Sequence, residues 1–145
     1  MNIDNHFGFL EKSFGFIKIP EYGYSRELHN DYVKDGLIIK IVYDGDYWVD
    51  ILKPKIDTQD ILKGVKHSTD YDFSDFNRYK LNNLDLDKSI WDSVSPDNFP
   101  DKSLWYYSKL LRENNEILNG NLKKLGWSYL ILRKLGLKKT SPNNS

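Results

Sequence analysis

The residues able to do chemistry are few in type and scattered in position. Histidine occurs at His6, His29 and His67, and cysteine does not occur at all. No two histidines share the spacing that would put both on one helix face, and there is no H-E-x-x-H run. A metal or carboxylate site would need His29 or His67 to meet distant acids in the fold. Without cysteine there is neither a disulfide framework nor a thiolate nucleophile. The segment Asn83-Leu84-Asp85-Leu86-Asp87 spaces oxygen ligands like the opening of a calcium loop. Lys88, however, stands where that loop needs Gly, and Val94 stands where a Glu would close it. These residues read instead as solvated aspartates alternating with buried leucines. Gly8, Gly15 and Gly23 form no phosphate-cradling loop, and no G-x-S-x-G elbow is present. The reading is of a chain with no catalytic constellation, no cofactor and no metal.

One stretch joins aromatic anchors to charge. Tyr71, Phe73, Phe76, Tyr79 and Trp91 interleave with Asp70, Asp72, Asp75 and Asp92. Aromatics on nucleic-acid surfaces interleave with Lys and Arg, so the sign here is wrong for nucleic acid. It suits a basic protein, because aromatics supply binding energy and charge supplies steering. Asp70, Tyr71, Asp72, Phe73, Asp75, Trp91 and Asp92 are therefore the candidate partner-binding residues. The competing reading turns the aromatics inward and uses the aspartates to cap turns.

Charge is unevenly spread. Residues 121–145 carry six basic residues and no acid, so with a net charge of zero residues 1–120 sum to −6. A global basic field is absent. The basic end supports a second class of reading, a regulatory protein touching nucleic acid through its last helix. A small enzyme built on His29 or His67 is a third.

These residues must be positioned by a fold that the pattern makes α+β. Its centre is LIIKIVYDGDYWVDILKP, residues 37–54, whose β-branched and aromatic runs flank Asp44-Gly45-Asp46. A three-residue loop sets Tyr43 opposite Tyr47, Ile41 opposite Val49 and Ile39 opposite Ile51. It also pairs Lys40 with Asp50 on the other face, and this register gathers the apolar residues on one side. Upstream, residues 3–14 predict a helix ended by Gly15, 16–19 a strand stopped by Pro20, and 31–34 a strand turned by Asp35-Gly36. Residues 21–30 read as an irregular link or edge segment. Residues 58–62 could open a helix limited by Gly64, 66–80 show no firm period, and 81–94 suggest a short helix or ordered loop. Two helices follow, 101–119 and 121–135, stopped by Asn119-Gly120 and Gly136. The expected architecture is one domain over 1–137, with an N-terminal helix, a four-stranded antiparallel meander and C-terminal helices on one face. A disordered polar tail is expected over 138–145.

Residues 9–51 resemble the N-terminal half of small bacterial proteins of the polymorphic-toxin immunity type, through Phe14-Gly15-Phe16, Tyr32-Val33 and Asp50-Ile51. The resemblance implies a protein that binds and blocks a cognate toxin without catalysis, and it transfers no site residue. Residues 55–100 carry no such likeness and are where a partner-specific surface is expected. The N-terminus lacks the basic start and apolar run of a signal peptide, and no stretch reaches the roughly 18 apolar residues of a membrane span. The compartment expected is the cytoplasm.

Overall fold

A computed structural model of the chain describes residues 3–95, 100–126 and 135. The fold is α+β, built on one antiparallel sheet. In chain order the elements are α1 (Ile3–Phe7), α2 (Phe9–Phe14), β1 (Ile17–Lys18), β2 (Tyr22–Tyr24), β3 (Glu27–Lys34), β4 (Leu37–Tyr43), β5 (Tyr47–Pro54), α3 (Gln59–Leu62), β6 (Phe76–Lys80), α4 (Ser89–Ser93) and α5 (Asp101–Glu113). The sheet runs β1-β3-β4-β5-β6, and β2 shares with β1 the outer edge of β3.

The central hairpin has the expected register. Tyr43 faces Tyr47, Ile41 faces Val49, Ile39 faces Ile51 and Lys40 faces Asp50. Gly45 takes φ +79, a left-handed conformation that only glycine adopts without strain. Asp46 closes the loop by accepting from the Tyr47 amide at 2.8 Å. Asp35-Gly36 makes the two-residue turn between Lys34 and Leu37.

Among the described residues the sheet has six strands rather than four. Of the two readings of residues 21–30 the edge segment holds and the irregular link does not: β2 turns through Ser25-Arg26 into β3, which is eight residues long. The first half of β3 carries Glu27, His29 and Asp31 on one face, so it shows no apolar alternation in the sequence. The sixth strand comes from the stretch without a period. In it Phe76 joins one core while Tyr79 leans on the other.

Helices also lie on both sides of the sheet. One face packs Tyr32, Ile39, Ile41, Val49 and Ile51 against Phe7, Leu10, Leu104, Leu110 and Leu111 of α1, α2 and α5. The opposite face builds a smaller core from Ile19, Val33, Ile38, Leu52, Ile61 and Phe76, with Ile61 supplied by α3. The first predicted helix divides at Gly8, where a Cβ would meet the Asp4 carbonyl oxygen at 2.6 Å. Helix α5 ends early, at Glu113, and residues 115–119 continue as a tighter 3₁₀ turn closed by Gly120 at φ 90. In the range predicted for the last helix, Lys123–Leu125 form a 3₁₀ turn. Most of that helix, and the tail over 138–145, lie outside the described residues. Among the described residues no helix is long and apolar enough to cross a membrane.

Ile39 is fully buried in the central strand. Ile39→Ala should lower the unfolding free energy by about 2–5 kcal/mol in urea titrations. Val65→Ala, at a position 68% exposed, should change it by no more than about 0.5 kcal/mol. Equal effects at the two positions would contradict this core.

Candidate functional site

The face of the sheet opposite α5 carries charge where a core would be apolar. Asp31, Lys40, Asp50 and Lys80 stand opposite one another in a row across β3, β4, β5 and β6. Asp31 is fully buried and Lys40 is 3% exposed. A buried charge must be paired and hydrogen-bonded, and the pairing is asymmetric. Lys40 turns away from Asp50 and makes an ion pair with Asp31 at 2.9 Å. The expected Lys40–Asp50 pair is therefore corrected: the register holds, but the ammonium goes to the more deeply buried acid. That acid is already prepared for it, since Tyr22 donates its hydroxyl to Asp31 at 2.5 Å and Ser68 donates at 3.0 Å.

The remaining Lys40 protons fix the state of His29. Lys40 Nζ lies 2.9 Å from the Tyr22 hydroxyl and 2.9 Å from His29 Nδ1. An ammonium only donates, so Nδ1 is the unprotonated nitrogen. The ring proton sits on Nε2, which donates to Glu27 Oε1 at 2.9 Å. Burial, then the Lys40 charge, holds the His29 pKa below its ordinary value. Burial also lowers that of Lys40, opposed by Asp31. The Tyr22 hydroxyl is pushed well up by burial and the Asp31 carboxylate. Tyr22 is further clamped between rings, stacked on His67 at 3.7 Å and on His29 at 5.4 Å. Both nitrogens of His29 are thus committed within the fold, and the His67 ring packs on Tyr22. Among the described residues no group of three His, Cys, Asp or Glu side chains could hold a metal ion.

Beside this network a pocket of about 260 Å³ opens between the sheet and the segment that follows α3. Its floor includes His29, Lys40, Trp48 and Asp50, and its walls include Tyr24, Glu27, Tyr71, Phe73 and Arg78. Phe73 is 74% exposed and Tyr24 51% exposed, so an aromatic rim stands around a charged floor. The Arg78 guanidinium lies over the Phe73 ring, 4.2 Å from its centre. The Asp50 carboxylate makes no side-chain hydrogen bond or ion pair among the described residues. Burial raises its pKa, opposed by the positive charges of Arg78, Lys80 and Lys40.

The residues singled out from sequence divide between two places. Asp70, Tyr71, Asp72, Phe73 and Asp75 all lie on the segment forming the pocket wall. Two of the aspartates act as turn caps: Asp70 accepts from the His67 amide at 2.8 Å and Asp75 from the Asp72 amide at 3.0 Å. Asp72 and Phe73 project outward, while Tyr71 packs on the smaller core. Trp91 and Asp92 are elsewhere. Trp91 belongs to α4 and packs against the larger core, with its ring edge-to-face on Tyr106 at 4.9 Å. The sheet separates it from Tyr71 and Phe73, so the seven residues are not one surface.

The calcium-like run is used for capping. Asp85 accepts from the amides of Ile90 and Trp91 at 3.0 and 2.9 Å and from the Tyr106 hydroxyl at 2.9 Å. Asp87 accepts from the Ser89 amide at 3.0 Å. The residues missed from sequence are Tyr22, Asp31 and Ser68, while Lys40 was given the wrong acid. One signal was present: a lysine in the middle of the apolar strand Leu37–Tyr43 must find a buried acid.

Removing one partner strands the other, so Lys40→Met should destabilise by about 3–5 kcal/mol. Adding Asp31→Leu to it should cost less than the sum of the single changes in a double-mutant cycle. The sign of the pH dependence follows from His29. Its folded pKa lies below its unfolded value near 6.5, so below that pH the unfolded chain binds the proton more readily. Stability should fall as pH drops through about 6.5, and His29→Gln should flatten the melting-temperature profile between about pH 7.5 and 5. His6, also lowered by burial and Arg112, leaves a residual slope.

Comparison with family models, with curated proteins and with solved structures finds no match to this chain.

Proposed function

We propose that this protein is a non-catalytic binding module of the immunity type, which occludes a basic toxin in the cytoplasm. The observation that carries the reading is the rim of Phe73 and Tyr24, large aromatics left in solvent around a charged pocket. Exposed aromatics beside partly desolvated charge are what an interface centre is made of. The polar groups behind the rim support binding over catalysis. Lys40, His29 and Tyr22 spend their protons and lone pairs on one another and on Asp31. A general base needs a lone pair free to meet substrate, and His29 offers none.

The resemblance of residues 9–51 to immunity proteins points the same way, and so does the excess of acid in residues 1–120. The docking face is made by the wall segment Asp70–Asp75 together with Tyr24 and Trp48. Trp91 and Asp92, on the other side of the sheet, are not part of it.

The test is binding to the product of the gene adjacent to its own. Phe73→Ala should weaken that complex about tenfold or more. Asp72→Lys should slow association most strongly at low salt. Asp72 is the N-cap of the Phe73–Asp75 turn, so Asp72→Asn, which keeps a capping oxygen while removing the charge, is the companion variant. An adjacent gene product that does not bind would defeat the reading. A complex indifferent to both changes would move the docking face elsewhere.

A further inference from the structure

Resting on that docking face, we propose that the pocket behind Phe73 is an anchor site for one arginine side chain of the partner, with its guanidinium paired to the Asp50 carboxylate. Asp50 is the acid that the charged row leaves over. Its neighbour across the ladder, Lys40, is committed to Asp31 at 2.9 Å. Asp50 lines the pocket, and its carboxylate takes no side-chain hydrogen bond or ion pair among the described residues. Both oxygens of one carboxylate are matched by the planar N–H fork of a guanidinium, which an ammonium cannot reproduce.

The walls suit the same group. Trp48 and Tyr71 present aromatic surface, and a guanidinium stacks on such faces more readily than an ammonium does. Arg78 already shows this mode, lying across Phe73 at 4.2 Å without pairing to Asp50. Its presence does not make the pocket cationic. Asp31 offsets Lys40, Glu27 offsets Arg78, and Asp50 offsets Lys80, its partner across the β5–β6 ladder. Asp70 and Asp72, exposed on either side of Tyr71, add a negative field at the mouth. A volume of about 260 Å³ is below the roughly 300–1,000 Å³ typical of sites for whole small ligands and matches a single side chain.

The test uses the full chain and the neutral-ended probe N-acetyl-arginine-N-methylamide, followed by calorimetry and by the Trp48 indole N–H resonance. Saturable binding is expected, with a shift at Trp48. The citrulline analogue, equal in shape but uncharged, and the lysine analogue should each bind about tenfold more weakly or worse. Asp50→Asn should lose a similar factor with its melting temperature little changed. Arg78→Gln, which removes a competing cation while keeping Asp50, should tighten binding. The proposal is overturned by the absence of saturable binding, by a shift confined to residues away from Trp48, by equal binding of either analogue, or by weakening in Arg78→Gln. The probe needs no partner, so its failure would leave the complex with the adjacent gene product, read through Phe73→Ala, as a separate result.

Discussion

The ammonium of Lys40 has two carboxylates within reach of its strand position and serves one of them. Asp31 wins because it is the more buried, and because Tyr22 and Ser68 donate to it as well. Burial raises the cost of an unpaired charge faster than it raises anything else on this face. Most features of the polar side follow from that preference. The choice ties β3 to β4, draws Tyr22 and Ser68 inward from flanking segments, sets the tautomer of His29, and leaves Asp50 facing a cavity.

The two faces of the sheet are consequently stabilised by different physics. Toward α5 the side chains are aliphatic and aromatic, and burial of apolar surface holds them. Toward Ser68 a short apolar core gives way to a network whose members satisfy one another almost completely. Such a network tolerates the loss of a single member poorly, because every deletion leaves a buried partner exposed to the low dielectric. It also holds the segment 68–75 in place through Ser68 and the stacked His67–Tyr22 rings. The least regular part of the chain is anchored by the most constrained part, and this allows Phe73 to stand in solvent without the segment being loose.

Much of the fold was legible in the residues. Alternation and the Asp44-Gly45-Asp46 loop specified the hairpin and its register, because a slip by one residue would have turned every apolar side chain to the wrong face. Gly15 stopped a helix where expected, while the next α-helix ended at Glu113 and Gly120 closed only the 3₁₀ turn that follows it. Strand β6 and the first half of β3 were not legible, and β2 was legible only as one alternative, an edge segment. The first half of β3 turns Glu27, His29 and Asp31 inward, and β6 places Arg78 beside Phe76 on one face, so neither shows an apolar alternation. Asp31 and His29 are held there by Lys40 of the neighbouring strand. The single predicted surface of Asp70 to Asp92 failed for a similar reason. Proximity in sequence placed Trp91 near Phe73, and the sheet passes between them.

By itself the sequence determined the α+β class, the central hairpin, the lack of any cysteine or paired-histidine chemistry, and an acidic body with a basic end. These depend on local periodicity, turn stereochemistry and composition, all of which can be read from neighbouring residues. Only the tertiary structure decided which acid Lys40 would take, that His29 is neutral with its proton on Nε2, and that Asp50, Trp48 and Phe73 would surround one pocket. Those outcomes depend on how deeply each group is buried and on which donors arrive from distant segments. Burial and convergence are properties of the assembled chain, and no local pattern encodes them.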